Sequence, residues 1–193
     1  YLKLISWFWA LGAIYTTHLS ILTKDYMGGN AQVYSIIIAE FSIAIGLGSF
    51  LCTLLSKGDA KRIYIIIGAF GMSVLTLALL ALNHTAYTAP DHIGIAEFIQ
   101  SPKNIINLGI ILGIGISAGL YSITCYNKLQ LISPIAIFSK IIAVNNIYNA
   151  LYMLIATLAT MFVLSYISVW MMFLSVSVLN ILYFIYGMVT KKI

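Results

Sequence analysis

The chain has 193 residues, of which 62% are hydrophobic and only 8% are charged. A soluble domain carries about 25% charged residues, so a soluble globular fold is excluded. Its hydrophobicity excludes a disordered chain, and a content of two cysteines excludes a disulfide scaffold. The net charge of +5 comes without a basic patch interleaved with aromatics, so no nucleic-acid partner is expected. What remains is an all-α polytopic membrane protein, in which the placement of charges says more than their sum.

A helix crossing a hydrocarbon core of about 30 Å needs about 20 residues. Against that length, the charge-poor windows predict spans over about 4–23, 31–55, 63–82 and 105–127, with Glu40 alone interrupting the second. The uncharged stretch 141–190 holds two more, about 141–164 and 168–189, with a turn at Ser165–Ser168. Six transmembrane helices are therefore expected. The chain opens on Tyr1 with no basic segment and cleavage site, so it reads as a piece of a longer polypeptide without a signal peptide. Cys52 and Cys125 lie inside apolar runs and read as small buried hydrophobes.

Six spans place Lys3, Lys57, Lys61, Arg62, Lys128, Lys140, Lys191 and Lys192 on one side of the membrane. Only Lys24 and Lys103 fall on the other, with Asp25, Asp91 and Glu97. Basic residues concentrate on the cytoplasmic side, so both ends of the chain are expected there. The long external connection, 83–104, carries an apolar and polar mixture from Ile93 to Gln100 that predicts a short helix lying at the interface. His84 and His92 stand in it without a cysteine partner. They are a weak pattern for a metal or a pH sensor and read as solvated loop residues, and no metal site is expected.

No hydrolase triad, phosphate loop, zinc signature or carboxylate pair occurs, so no enzymatic role or cofactor is expected of this segment. Glu40 is the one acid well inside a span; a charge at that depth costs at least about 2.5–3.5 kcal/mol and should face the bundle interior or a wet cavity. It reads either as a proton-coupling or head-group-binding carboxylate or as a carboxyl tied to a neighbouring helix. His18, near the external end of the first span, reads as an anion-binding group or as a marker of the interface. Asn145 and Asn149 stack one turn apart, with Asn146 one position round. Such amides need partners in a dry environment, so they line a polar cavity or bond neighbouring helices. Gly109/Gly113 and Gly115/Gly119 form small-residue ridges on the fourth span, and Gly46 and Gly48 do similar duty on the second, letting backbones approach or slide.

Several strings are more specific. Ser6–Ala13, Lys24–Gly29, Phe41–Cys52, Gly68–Ser73, Gly119–Ser122 and above all Lys140–Leu151, with its Ala-Val-Asn-Asn-Ile-x-Asn-Ala-Leu pattern, together resemble the C-terminal six helices of the major facilitator superfamily. Within it the chain is most similar to the lysophospholipid transporter family, including the form fused to acyl-ACP–phospholipid acyltransferase/synthetase domains. The resemblance covers nearly the whole chain.

The resemblance implies half of a major facilitator fold, built from two inverted three-helix repeats, in a bacterial inner membrane. It implies a carrier moving lysophospholipids, chiefly lysophosphatidylethanolamine, to the cytoplasmic leaflet for reacylation. The partners implied are that lipid substrate, the surrounding membrane lipid and a missing N-terminal six-helix half. Glu40, Asn145, Asn146 and Asn149 would line the path, with His18 at the external side and Lys140 near the cytoplasmic exit. The loop Ser56–Arg62 departs from the superfamily's Gly-x-x-x-Asp-Arg-x-Gly-Arg signature, and Lys140 keeps a positive charge without bidentate phosphate geometry. Two other readings stand beside this one: an exporter of another amphipathic small molecule, and a membrane anchor for a fused acyltransferase.

Overall fold

Six helices among the described residues are long and apolar enough to cross a membrane, which makes the chain a multi-pass α-helical membrane protein. The computed structural model describes residues 1–56 and 61–190. Lys57, Lys191 and Lys192, which enter the sidedness argument, lie outside the described residues, as does most of the loop between Ser56 and Arg62. The spans are α1 (Leu2–Asp25), α2 (Ala31–Ser56), α3 (Arg62–Leu82), α5 (Pro102–Ile132), α6 (Phe138–Val163) and α7 (Val169–Val189), with a single turn, α4 (Ile95–Phe98), between α3 and α5.

The predicted spans correspond to these helices one for one, and the α6–α7 turn falls where expected. Ser168 caps α7 there, its Oγ accepting from the Met171 amide at 3.3 Å. The fourth span is the exception in length. At 31 residues, α5 is about 46 Å long at 1.5 Å per residue. It begins on Pro102, a residue suited to a first helical position, and continues past Lys128 to Ile132, no Pro or Gly lying between Lys128 and Pro134. Windows bounded by charge cut such a helix short, since a lysine near its end can reach the interface.

The expected interfacial helix shrinks to one turn and folds inward. Ile93 donates its amide to the Gly28 carbonyl at 2.8 Å and accepts from the Asn30 amide at 3.0 Å, which keeps the chain extended up to Gly94. Phe98 is then buried against Val33, Ile36 and Leu108. Gly28 sits at φ +75°, where L side chains are strained. The ring of Tyr87 fills the space a Cβ would take there.

α2 and α3 both pack on α5, α6 packs on α1, and α7 packs on α3; α1 also touches α2, α5 and α7. Exchanging the first three spans for the last three turns the α2–α5 pair into α6–α1 and returns α3–α7 and α1–α5 to themselves. The extensive α3–α5 contact departs from this scheme, since its counterpart, α7–α1, is slight.

Without a hydrophobic drive inside the bilayer, helices associate through close packing and hydrogen bonds. The α2–α5 seam is closed by glycine. A Cβ on Gly48 would collide with the Ile116 carbonyl, one on Gly119 with the backbone of Ile45 and Ser49, and one on Gly115 with the Ala44 methyl. Gly113 faces only the flexible end of Leu75 on α3. Gly46 and Gly109 take no part in this seam: among the described residues nothing lies within 4 Å of a Cβ at either. Gly46 is two residues from Gly48 and so turns roughly 200° away from the seam. Gly109 shares a face with Gly113 at a level where no neighbour approaches.

Candidate functional site

Polar side chains inside the spans gather into several groups, three of which involve α1 with α6 or α7. The first joins α1, α5 and α6. Asn145 and Asn149 of α6 turn toward α1 and are buried, and the Asn149 amide lies 2.8 Å from Ser6 Oγ. In the amide orientation that satisfies both of its ends, Asn149 Nδ2 donates to Ser6 Oγ and to the Asn145 carbonyl at 3.1 Å. Its Oδ1 then accepts from Trp9 Nε1 at 3.2 Å and from Asn145 Nδ2 at 3.1 Å. Trp9 Nε1 is also 2.9 Å from Tyr126 Oη of α5, so two acceptors share that indole proton. Among the described residues, the buried Oδ1 of Asn145 finds no donor.

Asn146 and Lys140 do not join this group. Both are exposed; a helix turns about 100° per residue, so Asn146 leaves the face its neighbour shares with α1.

The second group lies farther along the same two helices. His18 is buried, and its Nε2 is 2.8 Å from Thr160 Oγ1. The Thr160 hydroxyl also donates to the Ala156 carbonyl at 2.9 Å. With its one proton used there, it accepts from His18 Nε2, and the imidazole presents Nδ1 as an acceptor; that atom is buried and without a partner among the described residues. The Ser6–Asn149 and His18–Thr160 bonds thus tie α1 to a parallel α6 at two levels, about 18 Å apart at 1.5 Å per residue.

The third group fastens α7. Asn180 accepts from Trp7 Nε1 at 2.7 Å and donates to the Ala69 carbonyl at 3.0 Å and Ser73 Oγ at 2.8 Å. Elsewhere Asn83, Asn104 and Asn107 bond one another where α3 meets α5, and Tyr15 Oη bonds Thr76 Oγ1 between α1 and α3.

Glu40 stands apart from all three groups. It is half-buried, with Oε2 covered and unpaired among the described residues. Its neighbour Phe41 stacks on Tyr15 with ring centroids 5.9 Å apart. That level is about 9 Å along α1 from Trp9 at 1.5 Å per residue. The structure therefore does not bring Glu40 to the asparagine cluster. In the external loop, His84 Nδ1 is 3.1 Å from the Ala81 carbonyl and His92 stacks on Tyr87, so neither is near a span-buried group.

Ser6, Trp9 and Tyr126 complete the first group and were not singled out from sequence. A signal existed for two of them, since Ser6 and Trp9 are three residues apart and share a helix face. Toward the same end of these helices, a cavity of about 670 Å³ opens between the start of α1, the ends of α5 and α7 and the start of α6, and none of the cluster residues lines it. It is lined by Lys3, Tyr148 and Tyr183 among apolar side chains. This combination of apolar wall, one cation and several hydroxyls can accept a molecule with a small polar head and a hydrocarbon tail. No family model matches the chain, and no curated protein or solved structure gives a significant match.

Proposed function

We propose that the chain forms one six-helix half of a carrier that moves a lysophospholipid, of the lysophosphatidylethanolamine class, across a bacterial inner membrane for reacylation. The observation that carries this reading is the asparagine cluster of α1, α5 and α6. Hydrogen-bonding capacity left unused inside a span is costly, and Asn145 Oδ1 holds such capacity beside Ser6, Trp9, Tyr126 and Asn149. An ammonium or glycerol hydroxyl of a lipid head group would donate to it, while the cavity lined by Lys3, Tyr148 and Tyr183, toward the same end of the helices, would take other parts of the molecule.

Two further features support the reading. The helix pairing survives in part the exchange of the first and last three spans, with α3–α5 the exception, which suits inverted repeats inside a half that rocks against a second half. The strings around Lys140–Leu151 resemble the lysophospholipid transporter family, in which a second six-helix half closes the path. Both ends of this half then lie in the cytoplasm, with Lys3, Lys128 and Lys140 on that side.

The test is uptake of labelled lysophosphatidylethanolamine by spheroplasts expressing the full-length protein. The double variant Asn145→Ala/Asn149→Ala, at equal membrane levels, is expected to lose about tenfold or more of the uptake, the effect of removing one or two buried hydrogen bonds to a ligand. Unchanged uptake in the double variant would overturn the site. Wild-type uptake no greater than that of an empty vector would overturn the carrier, and retention of cellular function after exchange of all six helices for an unrelated anchor would favour the anchor reading.

A further inference from the structure

At the end of the bundle where α1 and α6 begin, the cavity of about 670 Å³ gathers polar groups that are all donors in search of an acceptor. Lys3 of α1, Tyr148 of α6 and Tyr183 of α7 line it from three helices, among apolar side chains. None of the three side chains has a hydrogen-bond partner among the described residues. The Tyr183 ring is nonetheless held: it stacks on Trp7 with centroids 5.0 Å apart, and the Trp7 indole is tied to Asn180. No acid among the described residues offsets Lys3 there. Asp25, Glu40, Asp91 and Glu97 belong to the other end of α1, to α2 and to the connection between α3 and α5.

The asparagine cluster has the opposite chemistry. Asn145 Oδ1, buried and unpaired among the described residues, can only accept, so it takes an ammonium or a hydroxyl and repels a phosphate oxygen. A head group carrying both charges needs donors for its phosphate elsewhere. Lys3, Tyr148 and Tyr183 supply them, as one ammonium and two phenol O–H groups. The two chemistries are neighbours in the fold. On α6, Tyr148 stands three residues after Asn145, and Ile141, also on the cavity wall, four before it; such positions share a helix face with Cβ atoms about 5–6 Å apart. On α1, Lys3 stands three residues before Ser6, the partner of Asn149. In an ethanolamine head two methylene groups separate phosphate from ammonium, a length that reaches from one such position to the next.

We infer that this cavity is the phosphate subsite of the carrier, with Lys3 as its cation and the Tyr148 and Tyr183 hydroxyls as further donors. The inference rests on the carrier reading and adds to it which part of the lipid each group takes. Charge-assisted hydrogen bonds are the strong ones, so Lys3 is the group whose loss weakens binding most. The rest of the lining is mainly apolar, which suits the phosphodiester of a lysophospholipid rather than free phosphate.

The test is the concentration dependence of lysophosphatidylethanolamine uptake by spheroplasts expressing the full-length protein at equal membrane levels. Lys3→Gln is expected to raise KM about tenfold, the loss of one charge-assisted bond. Lys3→Arg should stay within about threefold of the wild type, because the charge remains. The double variant Tyr148→Phe/Tyr183→Phe is expected to raise KM about fivefold. Lys128→Ala removes a cation near the end of α5 that does not line the cavity, and should leave KM unchanged. Monoacylglycerol, which has no phosphate, should inhibit uptake equally in the wild type and in Lys3→Gln. An unchanged KM in Lys3→Gln, an equal rise in Lys128→Ala, or loss of monoacylglycerol inhibition in Lys3→Gln would overturn the subsite. Stronger inhibition of the wild type by inorganic phosphate than by glycerophosphoethanolamine would assign the cavity to the free anion and overturn it too. Wild-type uptake no greater than that of an empty vector would overturn the carrier and the subsite with it, whereas failure of the Lys3 variants with wild-type uptake intact overturns the subsite alone.

Discussion

An amide inside a span has no water to bond, so its partners determine whether it is structural or open to a ligand. Asn180 is fully committed, to Trp7, Ala69 and Ser73. Asn180→Ala would leave the Trp7 indole and the Ser73 hydroxyl short of partners, and about 1–3 kcal/mol of stability is expected to be lost. A thermal melt in detergent checks this, and an unchanged Tm would show that these bonds contribute nothing net. Asn145 is committed only through its amide nitrogen, so Asn145→Ala should cost at most about 1 kcal/mol of stability while lowering uptake as argued for the double variant. The partners behind the contrast between the two asparagines were not legible in the sequence. Spacing shows that Asn145 and Asn149 share a face, but the partners of that face, Ser6 and Trp9, lie at the other end of the chain, and Tyr126 comes from a third helix. No local pattern points to an acceptor for a tryptophan N–H.

At the scale of helices, the same limit appears for glycine. A ridge of small residues marks a helix able to approach another, yet which glycine meets a backbone depends on rotations that the spacing leaves open. Gly119 lies against the Ile45 and Ser49 backbone, whereas Gly46 faces open space. Gly119→Ala is therefore expected to destabilise the protein by about 1–3 kcal/mol, because neither backbone can yield cheaply. Gly46→Ala should be neutral or stabilising by up to about 1 kcal/mol, through helix propensity alone. Parallel thermal melts decide the matter, and equal Tm values for the two variants would contradict the seam. Helix existence was far more legible than helix contact: charge-poor windows marked every span, and the largest boundary error lay at α5, where Lys128 sits inside the helix rather than beyond it.

For the whole molecule, the charges are informative because a lysine is tolerated at either interface but not in the core. They mark where helices long enough to cross can lie, without knowledge of which helix touches which. Pairing was not legible, because spans that are apolar all round carry no amphipathic stripe to name the face that packs. The sidedness itself is open to direct measurement. Cys52 and Cys125 are both buried, so a new surface cysteine can be read against them with a membrane-impermeant maleimide. Ala136, between α5 and α6, and Ser165, between α6 and α7, are exposed at opposite ends of α6. Ser165→Cys is expected to react in intact spheroplasts, and Ala136→Cys only after permeabilisation, because Lys128 and Lys140 flank Ala136 on the side assigned to the cytoplasm. The reverse pattern would turn the bundle over, placing the asparagine cluster at its outer end. Reaction of both sites in intact cells would break the six-span count on which the alternation rests.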